Sequence, residues 1–446
     1  MIFWMPTPCW CADSETLVKY PVWISIPFLC MLGSIAIFPI FFSDWWHHQR
    51  NQMLVSFSLA ALVIAFLLTI SPDSNGGSFR DLWHEIQQYI SFVVLLLALY
   101  TISGGICIHG DIRASSRTNT LFLALGIILA NFIGTTGASM ILIRPLLRIN
   151  QARQSRQHIP IFFIFIVGNT GGLLTPLGDP PLYLGFLQGV DFFWTLQLWL
   201  PWLIVNGLLL FIFYFWDRRA WRREVSTQEV SATSSNKLRI LGWRWNGFCL
   251  LVVVLLILLH SDQVANQLGL RKLVFPFGEL ILLALVYSSL RFGNKEARIE
   301  NQFDWGAMKE VAILFFGIFV TMVPALGCLK LYSYKFNLDY LFQYYWGCGI
   351  LSGFLDNAPT YLTFAQFAAQ RHDLGWLSIN GPNILSAISC GAVFMGALSY
   401  IGNGPNFMVK TIAHYYNYPM PSFFGYFKYS IPILIPIFFL IQLLFF

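Results

Sequence analysis

The residues best suited to chemistry are two carboxylates set in helix-breaking sequence inside apolar runs. Asp179 lies in Thr175-Pro176-Leu177-Gly178-Asp179-Pro180-Pro181, and Asp356 lies in Gly353-Phe354-Leu355-Asp356-Asn357-Ala358-Pro359. A further break, Ser399-Tyr400-Ile401-Gly402-Asn403-Gly404-Pro405, copies the first and carries Asn403 where the first has Asp179. In hydrocarbon, broken backbone is tolerated only where protein buries it or where it lines a cavity. Matching breaks in two halves of a chain point to a transporter's binding site. A carboxylate near mid-membrane is costly unless paired or neutralised, so each acid is a functional candidate. Such a group holds a proton or a sodium ion but not both, which is the exclusion an ion exchanger requires. Asp356 is the first choice for that role and Asp179 the second.

Sodium is hard and wants oxygen ligands. Asp356, Asn357 and Asn403 are the candidate sodium set, and the amide of Asn169, the hydroxyls of Thr175 and Ser399, and carbonyls freed at Gly178 and Gly402 could add to it. The C-terminal ends of broken helices carry partial negative charge that favours a cation. Glycine permits the unusual backbone, while Pro180, Pro181, Pro359 and Pro405 stop the helix from healing over it. Each feature also has a plainer meaning. Gly and Pro are common in membrane helices as packing contacts or kinks. Asp356 could cap a helix or pair with Arg144 or Lys410, and Asp179 could cap the resumed helix. Asn169 and Asn406 are commonplace interhelical glue. His109 and His260 fall near span ends, and Glu279 sits early in a short apolar span, where it snorkels or pairs.

The elements that must position these groups are membrane helices. Hydrophobic residues make up 57% of the 446-residue chain and charged residues 11%. A soluble domain carries about 25% charged residues, so this surface is not built for water. The apolar runs are long and continuous, which argues for an all-α polytopic membrane protein and against a β-barrel. The net charge of +6 comes from basic loops, which the membrane charge rule explains better than a nucleic-acid partner does, so membrane lipid and no nucleic acid are expected. The eight cysteines form no CxxC pair, so a metal centre or disulfide framework is not expected.

Spans are expected at 20–42, 53–70, 86–108, 192–216, 248–260, 276–290, 311–329 and 429–446. Segments 121–149 and 340–369 read as re-entrant hairpins, the first with its tip around Thr136, Gly137 and Ser139. Segments 159–187 and 384–414 read as broken helices, the second carrying Pro405 at its break. Each half then crosses the membrane five times, an odd number, so residues 1–216 and 248–446 form two inverted repeats. A basic linker, 217–247, with the Ser/Thr-rich core Ser226–Ser235, joins them and is expected to be flexible. With both termini outside, one face collects Arg50, Arg153, Arg156, the Arg218, Arg219, Arg222 and Arg223 cluster, Arg244, Arg291, Lys309 and Lys428. That asymmetry makes this face cytoplasmic and implies a cell-membrane protein.

At Asp356-Asn357-Ala358-Pro359 and Tyr400-Ile401-Gly402-Asn403-Gly404-Pro405-Asn406, the chain resembles the ion-transporter superfamily. That group includes NhaD-type sodium/proton antiporters, citrate and dicarboxylate carriers and arsenite-pump membrane subunits. The resemblance runs from about the third span to the end, and is nearest to proteins labelled sodium/proton antiporter or citrate transporter. It implies a scaffold and a moving transport unit, hairpin tips and helix breaks meeting at the substrate, and commonly a homodimer. The family's carboxylate carriers place Ser-Asn-Thr at hairpin tips; here the second tip carries Asp356, and the first has no acid or Asn.

These readings give a sodium/proton antiporter first, with transported Na⁺ and H⁺ and no cofactor. The alternative is a sodium- or proton-coupled citrate or dicarboxylate transporter, for which Arg144 and Lys410 supply positive charge down the arms from the breaks. An arsenite-efflux membrane subunit is a further alternative, although the chain has no GxxxxGK[ST] loop of its own. A passive channel suits twin occluding hairpins less well than alternating access. An enzyme is not expected, because HExxH and GxSxG are absent from the sequence.

Overall fold

Apolar runs of this length leave backbone N–H and C=O groups without water, and a helix satisfies them within the segment. The computed structural model describes residues 20–69, 77–110, 114–225, 239–267, 275–335 and 338–446. Among them, seven helices are long and apolar enough to cross a membrane. They are Val22–Phe41, Gln49–Thr69, Phe79–Ser103, Ser116–Ile149, Phe192–Glu224, Gly306–Tyr332 and Phe423–Phe445. The chain is an all-α multi-pass membrane protein. Shorter helices, Trp243–Leu258 and Phe277–Phe292, stand where spans were expected at 248–260 and 276–290.

One of the seven does not cross. Ser116–Ile149 has 34 residues, and a straight helix of that size would be roughly 50 Å long, against a hydrocarbon core of about 30 Å. It folds back at Gly134, whose φ of 77° and ψ of 156° are non-helical. Positive φ is cheap for glycine alone. Asn119 and Asn150, near the two feet, exchange amide hydrogen bonds of 2.9 and 2.8 Å. Leu142 packs against Gly126 across the gap. The segment is a hairpin with both feet on one side. Its counterpart is Leu341–Phe354 followed by Asn357–Ala369, where Phe364 returns against Gly347.

Both broken helices are present. His158–Ile166 and the 3-10 turn Thr170–Leu174 precede the break, and Pro180–Leu187 follows it. Pro382–Met395 and the turn Gly396–Leu398 precede the second break, and Gly404–Tyr415 follows. Every residue of His158–Ile166 is buried. A helix that is apolar all round belongs in a protein core rather than against lipid.

The linker differs from the sequence reading. The helix Trp199–Val225 runs nine residues beyond the expected span end, and Arg239–Leu241 pairs antiparallel with Cys107–His109 in a two-stranded ribbon. The Ser/Thr-rich core Ser226–Ser235 lies outside the described residues. What extends the helix is a buried polar knot. Asp217 accepts from Arg153 Nη1 at 2.6 Å, from His158 Nε2 at 2.8 Å and from Asn119 Nδ2 at 3.0 Å. Its side chain is fully buried and that of Arg153 nearly so. The knot ties both feet of the first hairpin to the last helix of its half. Arg153 Nε also pairs with Glu224 at 3.3 Å, so Asp217→Ala leaves the cation one carboxylate while taking the acceptor from His158 and Asn119, and should cost about 3 kcal/mol. Thermal unfolding in detergent checks this; an unchanged transition would mean the knot contributes nothing.

Candidate functional site

The hairpin tips meet the helix breaks through one repeated contact. Thr135 N–H donates to the Gly178 carbonyl at 2.8 Å, and Asn357 N–H donates to the Gly402 carbonyl at 3.1 Å. Glycine is required at both breaks because a Cβ on Gly178 would collide with the Gly172 carbonyl, and one on Gly402 would lie 2.5 Å from the Gly396 carbonyl. These close approaches hold each break open and bring the four segments to one point.

At that point sits Asp179, 1% exposed. Its Oδ1 accepts from Thr135 Oγ1 at 2.9 Å and from Asn403 Nδ2 at 2.8 Å, and its Oδ2 accepts from Asn357 Nδ2 at 2.6 Å. Residues from both hairpins and both breaks therefore converge on one carboxylate. Asp179 precedes the helix Pro180–Leu187 but makes no side-chain cap bond to it. Asp356 does cap: its Oδ1 accepts from Ala358 N–H at 3.0 Å at the start of Asn357–Ala369. It also lines the cavity described below and forms no ion pair among the described residues.

The amides turn their nitrogens to Asp179 and leave their oxygens free. Asn357 Oδ1 and Asn403 Oδ1 are both buried without a partner among the described residues. A buried orphan acceptor costs about 1–3 kcal/mol, which a bound cation would recover. Two amide oxygens beside a carboxylate form an oxygen-only donor set of the sort hard cations take.

The other expected ligands divide. Asn169 donates to Asn406 Oδ1 at 2.7 Å and accepts a 3.3 Å bond from Asn403. It therefore stands one step behind the carboxylate. Thr175 Oγ1 donates to the Asn131 carbonyl of the first hairpin, and Ser399 Oγ accepts from Ile401 N–H at 3.2 Å within its own break, so neither hydroxyl bonds to the carboxylate. The Gly178 and Gly402 carbonyls each accept one hairpin N–H and keep a second lone pair. Pro405 opens the resumed helix Gly404–Tyr415. Thr136 lines the cavity, Gly137 packs on Ser103, and the buried Ser139 hydroxyl has no partner among the described residues. Sequence reasoning placed Thr135 in the first hairpin tip but gave it no part in the site. It follows the turning residue Gly134 as Asn357 follows Asp356, and that matching place was the available signal.

From this floor a cavity of about 670 Å³ opens to one face, reaching the exposed residues His47, Asp304 and His414. That face is the basic one. Arg144 and Lys410 stand on its wall. Arg144 is 5% exposed, its Nη1 meets only Met140 Sδ at 3.5 Å, and its Nε has no partner. Lys410 lies over the Tyr400 ring at 4.5 Å. Neither cation is ion-paired among the described residues.

A sequence model of the protein family described as "Putative citrate transport" matches residues 17–446. The chain belongs to this family. It is a membrane transporter by that membership, and the ion-transporter resemblance read at the breaks agrees with it. No curated protein matches the chain.

Proposed function

We propose that the chain is a cation-coupled carrier of citrate or a related di- or tricarboxylate, working by alternating access. The observation that carries this reading is Arg144. A guanidinium buried in a cavity wall without a carboxylate is expensive, and a carboxylate substrate entering the cavity would supply the missing partner. Lys410 offers a second positive charge on the same wall. Both fit a multiply charged anion better than a site for cations alone, and the family description points the same way. The carboxylate reading therefore stands ahead of the sodium/proton antiporter.

The cation belongs at Asp179 in this reading, with Asn357 Oδ1 and Asn403 Oδ1 as neighbours and Asp356 at the cavity edge. Sodium or a proton there neutralises the acid and lets the anion approach without like-charge repulsion. The repeated tip-to-break contact supports two inverted repeats, 1–216 and 248–446. With the basic face cytoplasmic and both termini outside, the cavity faces inward.

Labelled citrate uptake into proteoliposomes tests the proposal. Uptake should rise with an inward sodium or proton gradient and stay at background without one. Collapse of a proton gradient by sodium, with citrate neither needed nor moved, would replace this reading with the antiporter.

A further inference from the structure

The last turns of the helix Trp199–Val225 carry charges of both signs and sort them by face. The two acids turn inward, where Asp217 and Glu224 both pair with Arg153. The outer face holds none. Steps of four, four, four, three and four residues bring Leu203, Gly207, Phe211, Phe215, Arg218 and Arg222 to one side of a helix, and all six are exposed. A Cβ on Gly207 would meet nothing within 4 Å, and the rings of Phe211 and Phe215 lie 4.6 Å apart. Among the described residues neither Arg218 nor Arg222 has an ion pair.

The apolar part of this stripe, from Leu203 to Phe215, is about 18 Å long at 1.5 Å per residue. That is close to one leaflet, half of a hydrocarbon core about 30 Å thick. Trp216, 40% exposed, marks the level at which amphipathic rings meet the headgroups. Arg218 follows at once, and its guanidinium lies over the Tyr214 ring at 5.9 Å, drawn back toward that level. Arg222 stands one turn further on. Chain-length apolar surface, interfacial aromatic and paired guanidinium groups follow the order of the parts of an anionic phospholipid. The charge rule that orients a span counts basic residues near its end and is indifferent to face. It leaves the sorting without a reason.

We propose that this face binds an anionic phospholipid, its phosphodiester held by Arg218 and Arg222 and its chains lying along Phe211 and Phe215. Residues four apart on a helix are neighbours, and guanidinium forks match phosphate oxygens. The back of the same helix is bonded to the first break. Trp202 Nε1 donates to the Gly171 carbonyl at 2.9 Å, Thr170 Oγ1 donates to Asn206 Oδ1 at 2.8 Å, and Asn206 Nδ2 donates to the Thr170 carbonyl at 3.1 Å. A lipid on the outer face therefore ties the depth of this helix, and of the turn bonded to it, to the headgroup plane.

Native mass spectrometry of the detergent-purified protein, titrated with dioleoyl phosphatidylglycerol, tests this without any substrate. The wild type should retain one phosphatidylglycerol at concentrations where dioleoyl phosphatidylcholine leaves it bare. Arg218→Gln combined with Arg222→Gln should raise the concentration for half occupancy about 30-fold. Arg244→Gln combined with Arg291→Gln removes the same charge from exposed positions elsewhere on the basic face, and should leave that concentration unchanged. Equal losses in the two double variants, or phosphatidylcholine binding as well as phosphatidylglycerol, would overturn the proposal. Displacement of the lipid by inorganic phosphate would also overturn it, leaving a plain anion site. All four arginines are exposed, so neither double variant removes a buried contact. Because no citrate is present, the result stands apart from the carboxylate reading.

Discussion

Asp179→Asn is expected to lower cation-dependent citrate uptake at least 100-fold while the protein still inserts and folds. The carboxylate receives three donors: the Thr135 hydroxyl and the amide nitrogens of Asn357 and Asn403. Asparagine offers one oxygen and turns an NH2 group toward at least one of these donors. The site then loses its negative charge and gains a donor facing a donor. A 100-fold loss corresponds to about 2.8 kcal/mol, the scale of one charge-assisted bond. Asp356→Asn is the informative comparison. Asn caps a helix about as well as Asp, so the bond to Ala358 N–H survives and uptake should fall by no more than about tenfold. Abolished uptake in Asp356→Asn together with retained uptake in Asp179→Asn would move the cation to the hairpin acid.

Arg144→Gln is expected to act in opposite directions on binding and stability. Citrate affinity, read by calorimetry in sodium, should fall about 100-fold, because a buried charged contact is worth several kcal/mol once desolvated. The thermal transition of the empty protein should rise, because the substitution removes an uncompensated buried charge. A structural arginine would give a lower transition instead. Lys410→Ala should weaken citrate by a smaller factor, since its ammonium already rests on the Tyr400 ring. Unchanged citrate affinity in Arg144→Gln would remove the observation on which the carboxylate reading rests.

Much of this architecture was readable from residue types. Gly178, Pro180 and Pro181, repeated at Gly402 and Pro405, mark both breaks because only such residues interrupt a membrane helix. Both hairpins were readable because a polar, glycine-bearing interruption divides each apolar run in two. The sequence reading ranked the pair of acids with Asp356 first and Asp179 second, the reverse of the order proposed from the folded site. Asp179 and Asp356 look alike in one dimension, and only the folded chain brings Asn357 and Asn403 to the first and leaves the second as the cap of Asn357–Ala369. The helix past Trp216 was illegible for a related reason. Its polar surface reads as a loop until Arg153 and His158, some 60 residues earlier, arrive to bury Asp217. Arg144 was visible as a charge in an apolar arm, but its lack of a partner is a fact about surroundings, which sequence spacing does not carry.

The paired contacts from Thr135 to Gly178 and from Asn357 to Gly402 limit how the protein can move. Were a tip to swing away like a flap, it would abandon one of these bonds and strip Asp179 of a donor in the same stroke. Sliding the four segments together past their surroundings costs neither. The cargo would then travel inside its own set of ligands, and what changes from one side of the bilayer to the other is the wall around it.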